Sequence, residues 1–502
     1  MNSEDHAIII HHFFSERAVP NIQYPVSSIR FLAFIIPLNA FMRPGKFIKR
    51  AVAVLLLLIL AAVTWYAWLA FPAISGYGAK NLCSAVYLQH RDAGEVIKDD
   101  LAEFPLSLGS FSVNKTDSSV TGSVWGFAKR KAIFRKGIGC TLINDFTEEQ
   151  VRSQPFLLPP TVAVNQDSLP WPQGDRIPDT ISADVNKVLL QQAIDNAMHS
   201  TYKKKASETR SIVVLYKGAI VGEQYAPGFD KNTVQLGWSV SKSLTGAMIG
   251  VLVREGRLAV EDTAPVPEWK HTSKEQITIR QLLQQTTGLR FKEDYANPSE
   301  VTNMLFNKGD MAAFTAALPL KDSPGTAFNY SSGNTNILSR IIRHTVGEKL
   351  YPSFPCQALF HKINMYSMLL EPDASGTYIG SSYSYATARD FARFGLLYYN
   401  NGVWNGEQIL PVNWVRETVQ PSIADARKHY GYQFWLNGYE AKMPSRRWYP
   451  DVPADMYFAD GYGGQDIYII PSKHLVVVRL GLHTLDENKF LREVMLAVTR
   501  KG

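Results

Sequence analysis

A run without a charged side chain, residues 51–70, is the feature of this sequence that most restricts its fold. About 20 apolar residues are enough to cross a bilayer as a helix, and a helix with no polar face does not suit the surface of a soluble domain. Basic residues precede the run, at Arg43, Lys46, Lys49 and Arg50. Aromatic residues lie at its end, at Trp65, Tyr66 and Trp68.

This flanking pattern is typical of a membrane anchor, because basic residues stay in the cytoplasm and aromatic residues lie at the membrane interfaces. We therefore expect an anchor over residues 51–72, a basic cytoplasmic segment over residues 1–50, and the rest of the chain outside the cytoplasm of a bacterial cell. A cleaved signal peptide, with secretion, is the alternative, although no clear small-residue cleavage site follows the run. The true start is either Met1 or Met42, where a typical targeting segment would begin.

The composition beyond the run is that of a globular protein. The 502 residues are 46% hydrophobic and 12% aromatic, enough for one large domain or two to three smaller ones. The net charge of +7 is spread along the chain except at residues 43–50 and 129–131, so we expect no nucleic-acid partner. The sequence has no His-Glu-x-x-His, phosphate loop or dinucleotide fingerprint, so we expect no metal and no cofactor.

The three cysteines, Cys83, Cys140 and Cys356, form no Cys-x-x-Cys motif, which argues against a zinc or redox site. Cys83 and Cys140 lie in one segment after the apolar run. Outside the cytoplasm these two can form a disulfide and leave Cys356 free. Three buried thiols are the alternative interpretation.

Short strand patterns over residues 73–165 predict a small membrane-proximal unit, and a proline-rich linker ends near residue 175. The main domain, residues 170–502, begins with a helical pattern over 185–199 and a hairpin around residues 217–218. Two further strands lie at 466–470 and 475–480, while residues 264–400 are mostly helical in pattern and include a predicted helix over 277–289 that is capped by Gly288. We predict an α+β fold whose antiparallel sheet is formed from both ends of the domain, is flanked by helices and carries a helical insertion.

The motif that points to chemistry is Ser239-x-x-Lys242. It begins a predicted helix over residues 240–254, after a strand or loop that ends near Gly237. Residues three apart share one helix face, so the hydroxyl and the amine can meet. A serine becomes nucleophilic when a base takes its proton, and a lysine whose pKa is lowered by burial can be that base. Alone the motif is weak, because an N-cap serine beside a solvated lysine has the same pattern and a second match occurs at residues 200–203.

Further blocks strengthen this interpretation, because they follow one another in a known order. The blocks are residues 238–246, 277–283 with 286–289, 324–334, 385–397 and 461–465. In them the chain resembles the class C β-lactamase-related serine hydrolases, which share the penicillin-binding-protein fold of the β-lactamase and transpeptidase type. Within that group it is most similar to the 6-aminohexanoate-dimer hydrolase and family VIII carboxylesterase branch. The resemblance covers about residues 175–500 and implies that fold for the main domain.

The resemblance implies a catalytic role for three residues. It matches Ser239 to the nucleophile, Lys242 to the general base and Tyr330 to a tyrosine that passes a proton between the serine and the leaving group. A phenol beside a cationic lysine is expected to ionise more easily than usual. The structural alternatives are a helix cap, a solvated lysine and an ordinary interfacial tyrosine.

The resemblance also implies a substrate-binding edge at residues 462–465. Tyr462, Gly463 and Gly464 fall where relatives carry Lys-Thr-Gly or His-Thr-Gly, and the backbone N–H of Gln465 would form an oxyanion hole with that of Ser239. A plain turn is the alternative for the two glycines. Ser332 stands at the asparagine of the Tyr-x-Asn motif, where it would contact substrate.

Ser332 and Tyr462 depart from the residues that hold the amide and carboxylate of a β-lactam, which weakens the case for antibiotic hydrolysis. We therefore expect a serine hydrolase acting on a small ester, amide or peptide through an acyl-enzyme. A cell-wall D-amino-acid peptidase and a non-catalytic β-lactam or peptidoglycan receptor are the alternatives. A Ser-His-Asp triad would need His474 or His483, which we expect at strand ends or in solvent, and residues 237–241 form only half of a nucleophile elbow.

Overall fold

The computed structural model describes residues 44–156, 158, 164–177 and 182–498. Both possible starts, Met1 and Met42, and most of the expected cytoplasmic segment lie outside these residues. The helices are α1 Pro44–Tyr87, α2 Ala93–Asp99, α3 Glu148–Arg152, α4 Lys187–Met198, α5 Val240–Arg254, α6 Ile279–Leu283, α7 Glu300–Asn307, α8 Met311–Ala317, α9 Ser332–Val346, α10 Ala388–Tyr399, α11 Trp414–Thr418 and α12 Glu487–Ala497.

The strands fall into one small sheet near the start of the chain, one large sheet, and several short pairs. They are β1 Gly109–Asn114, β2 Ser119–Val124, β3 Phe127–Arg135, β4 Gly139–Ile143, β5 Thr201–Tyr202, β6 Lys205–Ala206, β7 Thr209–Tyr216, β8 Ala219–Tyr225, β9 Gln235–Leu236, β10 Leu369–Leu370, β11 Ser384–Ala386, β12 Val403–Trp404, β13 Glu407–Gln408, β14 Trp435–Leu436, β15 Tyr457–Gly461, β16 Gln465–Ile470 and β17 Leu475–Gly481.

Helix α1 extends well beyond the predicted anchor. Its first part is apolar, exposed and long enough to cross a membrane, whereas the part from Ile74 onward is buried in the protein. Small residues permit this burial, since a Cβ on Gly76 would lie 2.9 Å from Phe306 and one on Gly78 would lie 1.9 Å from the ring of Phe111. The expected boundary near residue 72 therefore falls inside one continuous helix.

The buried half of α1 packs on an antiparallel sheet with the strand order β1-β2-β3-β4. A disulfide between Cys83 and Cys140 joins α1 to β4, with 6.1 Å between the two Cα atoms, and Cys356 is free. The disulfide is the pairing expected for an oxidising compartment. The core of this unit includes Met304 and Tyr385, so the membrane-proximal unit shares its apolar interior with the main domain.

The main sheet is antiparallel and has the strand order β14-β15-β16-β17-β7-β8. Strand β17, near the chain end, pairs with β7, near the start of the domain, in a register that sets Val478 opposite Val213. The sheet is thus closed by both ends of the domain, as the sequence predicted. Alternate residues of β7 face opposite layers, because Val213 contacts the core that contains α5 and α10 whereas Val214 contacts the core that contains α4 and α12.

The insertion between the two sets of strands is mostly helical, as predicted, and contains α6 to α10 with the short strands β10 and β11. One predicted helix is much shorter than expected. The pattern over residues 277–289 predicted a single helix ending at Gly288, but α6 ends at Leu283. The reason is local, because Gln285 has a φ of 60° and a left-handed residue ends a helix.

Candidate active site

A tight turn between β9 and α5 presents Ser239. The backbone N–H of Gly237 donates to the Ser384 carbonyl at 2.8 Å, and Trp238 then adopts a φ of 46°. A left-handed tryptophan is uncommon, and aromatic neighbours hold it in place. Ser239 occupies the N-cap of α5, but its side chain makes no capping hydrogen bond. The capping interpretation therefore fails for the side chain, whose hydroxyl is directed to Lys242.

Lys242 lies one turn into α5, and its side chain is only 1% exposed, so the interpretation as a solvated lysine also fails. The Nζ atom lies 2.9 Å from Ser239 Oγ, 3.0 Å from Ser332 Oγ and 3.0 Å from the carbonyl oxygen of Ser381. Burial lowers the pKa of Lys242 to about 8, against the opposing attraction of Glu293 and Asp460. A substantial fraction of the amine is consequently neutral near physiological pH.

Glu293 is a residue of this site that the sequence did not reveal. It lies in the loop before α7 and is buried, and its carboxylate accepts a 2.8 Å hydrogen bond from the backbone N–H of Ser332 and a short one from the Ser332 hydroxyl. Tyr295 also donates its hydroxyl to Glu293, at 2.9 Å. The loop contains no sequence motif, and a buried acid in a loop is visible only in three dimensions.

The contacts of Ser332 and Ser381 orient the lone pair of a neutral Lys242. The Ser381 carbonyl can only accept, and the Ser332 hydroxyl accepts from the amine because its own proton is donated to Glu293. Both N–H bonds of the neutral amine are thereby used. Its lone pair remains for the contact with Ser239. A neutral Lys242 is arranged to take the Ser239 proton. Ser332, expected to contact substrate, instead lies buried beneath the amine.

Tyr330 lies beside this pair, with Lys242 Nζ 4.9 Å from the centre of its ring. The ring stacks on Trp435 at 4.9 Å and meets Tyr430 edge-on at 5.7 Å. Burial raises the pKa of the Tyr330 phenol well above its ordinary value, Tyr430 and Glu293 add to this, and a hydrogen bond with Ser239 opposes it. The expectation that the nearby lysine would make this phenol ionise easily is therefore wrong, because desolvation outweighs the charge.

The predicted substrate-binding edge forms the turn between β15 and β16. Gly463 and Gly464 have φ values of 79° and 80°, and Arg479 donates to their carbonyl oxygens at 2.9 and 2.7 Å. A turn is thus part of their role, and a Cβ on Gly464 would lie 2.1 Å from Arg479. Tyr462 at the tip is 55% exposed and contacts the Trp238 ring at 5.7 Å.

Gln465 begins β16 opposite Gly461. A Cβ on Gly461 would lie 2.2 Å from the carbonyl oxygen of Gly237, so this edge of the sheet runs close beside the turn that carries Ser239. The role of the Gln465 backbone N–H in an oxyanion hole, together with the N–H of Ser239, stays a prediction. The side chain of Gln465 is turned inward and donates to the carbonyl of Tyr462 at 3.1 Å.

The histidines considered for a triad lie elsewhere. His474 follows β16 in a left-handed turn and contacts the Tyr399 hydroxyl at 2.9 Å. Burial lowers the pKa of His483 to about 4, and its backbone is bonded to Ser207 and Arg479. Among the hydrogen bonds of the described chain, Ser239 is joined to Lys242 and not to either histidine.

The main domain is similar to known proteins. Residues 190–489 match the family model for β-lactamase. The 6-aminohexanoate-dimer hydrolase of Paenarthrobacter ureafaciens is 27% identical over 301 residues, which cover 54% of this chain and 72% of the relative.

A solved structure shows a similar fold. A putative 6-aminohexanoate-dimer hydrolase from Bacillus anthracis is 24% identical, with a TM-score of 0.50 over 64% of this chain and 87% of that one. A family VIII carboxylesterase is 15% identical, with a TM-score of 0.48 over 64% and 98%. Since the matched residues contain the main sheet, helix α5 and the insertion, the chain belongs to the β-lactamase family and is a hydrolase of that family.

Proposed function

We propose that this chain is a serine hydrolase that cleaves an ester or amide bond through an acyl-enzyme. The observation that carries the proposal is the 2.9 Å contact between Lys242 Nζ and Ser239 Oγ, made by a buried amine whose pKa is about 8. An amine whose pKa lies near the working pH is neutral often enough to accept a proton and basic enough to hold it.

In the acylation step, neutral Lys242 takes the Ser239 proton while Oγ attacks the substrate carbonyl. The developing oxyanion is stabilised by the N–H groups of Ser239 and Gln465. The un-ionised Tyr330 passes a proton to the leaving alcohol or amine and is reprotonated from Lys242. Water then attacks the acyl group, the carboxylic acid leaves and Ser239 recovers its proton, so atoms and charge balance over the cycle.

The substrate class is inferred from Ser332 and Tyr462, the two residues that depart from the family pattern. Ser332 is buried and used by Lys242, and Tyr462 supplies no positive charge, so the groups that hold a β-lactam carboxylate in relatives are missing. These departures support a neutral ester or amide as substrate. The name of the Paenarthrobacter relative, a hydrolase of a 6-aminohexanoate dimer, supports the same kind of reaction.

We also propose that helix α1 anchors the enzyme in the membrane with the catalytic domain outside the cytoplasm. The exposed apolar half of α1 and the disulfide between Cys83 and Cys140 support this arrangement. An uncleaved anchor is favoured over a cleaved signal, because the second half of the same helix is buried in the folded protein. Cleavage after residue 72 would leave that half as the new N-terminus.

A fluorophosphonate probe and a p-nitrophenyl ester test the reaction together. We expect the full-length protein in detergent to be labelled, Ser239→Ala to remain unlabelled, and Ser243→Ala, a serine one turn further along α5, to be labelled like wild type. We expect repeated turnovers after an initial burst. Equal fluorophosphonate labelling of wild type and Ser239→Ala would refute the assignment. A stable stoichiometric acyl adduct with the p-nitrophenyl ester, without turnover, would indicate a receptor.

A further inference from the structure

Aromatic side chains cluster beside the turn that carries Ser239, and one of them comes from the anchor helix. Tyr77 of α1 stacks on Trp238 at 5.9 Å, and Trp238 contacts Tyr462 at 5.7 Å. Tyr295, from the loop that holds Glu293, contacts Tyr462 at 6.1 Å. We call Tyr77, Trp238, Tyr295 and Tyr462 the aromatic collar. Because Trp238 directly precedes Ser239, the collar joins the membrane helix to the reacting hydroxyl.

The collar lies close to the end of the apolar run. Tyr77 follows Ala70 by seven residues of one helix, a rise of about 10 Å. The polar headgroup layer on each side of a bilayer is about 5 to 8 Å thick. An upright α1 therefore sets the collar about 2 to 5 Å outside that layer, next to the headgroups, and a tilted helix brings it closer.

A second contact joins the loop of the site to the membrane end of α1. The Tyr66 hydroxyl donates to Asn297 Oδ1 at 3.4 Å. Asn297 belongs to the loop that also carries Glu293 and Tyr295, and Tyr66 lies in the aromatic end of the apolar run. The loop of Glu293 and Asn297 thus reaches the depth of the membrane interface, because Tyr66 lies four residues before the apolar run ends.

The small sheet presents exposed aromatic residues at the same end. Trp125 and Phe127, in and after the turn between β2 and β3, are 66% and 70% exposed. Trp125 meets the ring of Phe71 in α1 edge-on at 5.3 Å, and Lys129, two residues after Phe127, is also exposed. Exposed aromatic and basic residues next to a membrane helix are typical of an interface contact.

We propose that the catalytic domain rests on the bilayer through the turn of Trp125 and Phe127, with its aromatic collar at the headgroups. Its substrate class is then an amphiphile that stays in the membrane by its apolar chain and carries the cleavable ester or amide in its headgroup. This inference rests on the proposed function, and it adds the place where the substrate is held. Tyr462, exposed and uncharged, suits the apolar stem of such a molecule better than an anionic solute.

The test compares one umbelliferyl ester in two settings, with the full-length protein reconstituted in vesicles of diether phosphatidylcholine. In one setting a diether lipid carries the ester on its headgroup, and in the other a short soluble stem carries it. We expect wild type to favour the lipid-borne ester by about tenfold or more in kcat/KM, because the docked domain holds its site at the depth of the lipid headgroups and so raises the effective concentration of that ester.

A double variant separates membrane contact from chemistry. Trp125→Ser with Phe127→Ser should lower the preference for the lipid-borne ester by about tenfold, equal to about 1.4 kcal/mol, and leave hydrolysis of the soluble ester unchanged. The matched control is Val412→Ser with Ile423→Ser, which removes two exposed apolar side chains from another part of the surface and should keep the preference. Equal preference in both double variants, or no preference in wild type, would overturn the inference.

A depth measurement gives an independent result. In a Cys356→Ser background, we would attach a fluorophore at Asn297→Cys or, as a control, at Val412→Cys, and add lipids with nitroxide headgroups. Quenching at residue 297 and not at 412 is expected, and equal quenching overturns the inference. If wild type neither reacts with fluorophosphonate nor hydrolyses the soluble ester, the proposed function fails as well; a protein that does both but shows no lipid preference refutes only this inference.

Discussion

Replacing Glu293 with glutamine tests how the charge of a loop residue controls the catalytic base. Lys242 Nζ is 3.0 Å from Ser332 Oγ, which donates directly to Glu293, so ammonium and carboxylate are about 5 Å apart. At an effective dielectric constant of about 20 their attraction is about 3 kcal/mol, equivalent to about 2 in pKa. Since Ser239 is partly exposed and water reaches the site, we expect about half of this effect.

Because the negative charge favours the ammonium, its removal lowers the pKa of Lys242 from about 8 to about 7. The acid limb of the pH profile of kcat/KM should move to lower pH by about 1 pH unit. The neutral fraction of Lys242 at pH 7 should rise about fivefold. The plateau at high pH should fall, because the hydroxyl and the backbone N–H of Ser332 bond separate oxygens of Glu293 and glutamine offers an oxygen at only one of those two places.

The assay is hydrolysis of p-nitrophenyl acetate by the full-length protein in detergent, followed between about pH 6 and 10. Glu300→Gln is the matched control, since it removes a carboxylate from the start of α7, near the same loop, that bonds the backbone of Lys292 rather than Ser332. Its acid limb should coincide with that of wild type. A limb that stays in place or moves to higher pH in Glu293→Gln would refute the proposed electrostatic link.

Three further variants test the proton shuttle and the attachment of α1. Tyr330→Phe should lower kcat by about 10² to 10⁴, and wild type should show no loss of activity from phenol ionisation near pH 10, because the pKa of Tyr330 is raised; an intact kcat would exclude the shuttle. Replacing Cys83 and Cys140 with serine should lower the free energy of unfolding in urea by about 2 to 4 kcal/mol, given their separation of 57 residues. Glu371→Ala, which leaves Lys80 buried without its ion-pair partner, should cost about 3 to 5 kcal/mol in the same assay, and adding Lys80→Met should recover part of the loss.

The parts of the site that the sequence predicted depend on short separations along the chain. Ser239 and Lys242 are three residues apart on one helix, so their meeting follows from helix geometry once α5 is recognised. The main sheet could be predicted too, because strand patterns stand at both ends of the domain. The length of α6 could not, since it depends on the left-handed conformation of Gln285, a residue type with no preference for it.

The parts that the sequence did not predict depend on contacts between distant segments. Glu293 bonds Ser332 across 39 positions, and the phenol of Tyr330 stays protonated because Trp435 and Tyr430 exclude water from it. The collar has the same origin, because Trp238 is held in a left-handed turn among aromatic rings that include Tyr77 of the anchor helix. In the proposed enzyme, the turn of the nucleophile is braced by the helix proposed as the anchor, so α1 would serve as part of the active-site wall as well as the membrane attachment.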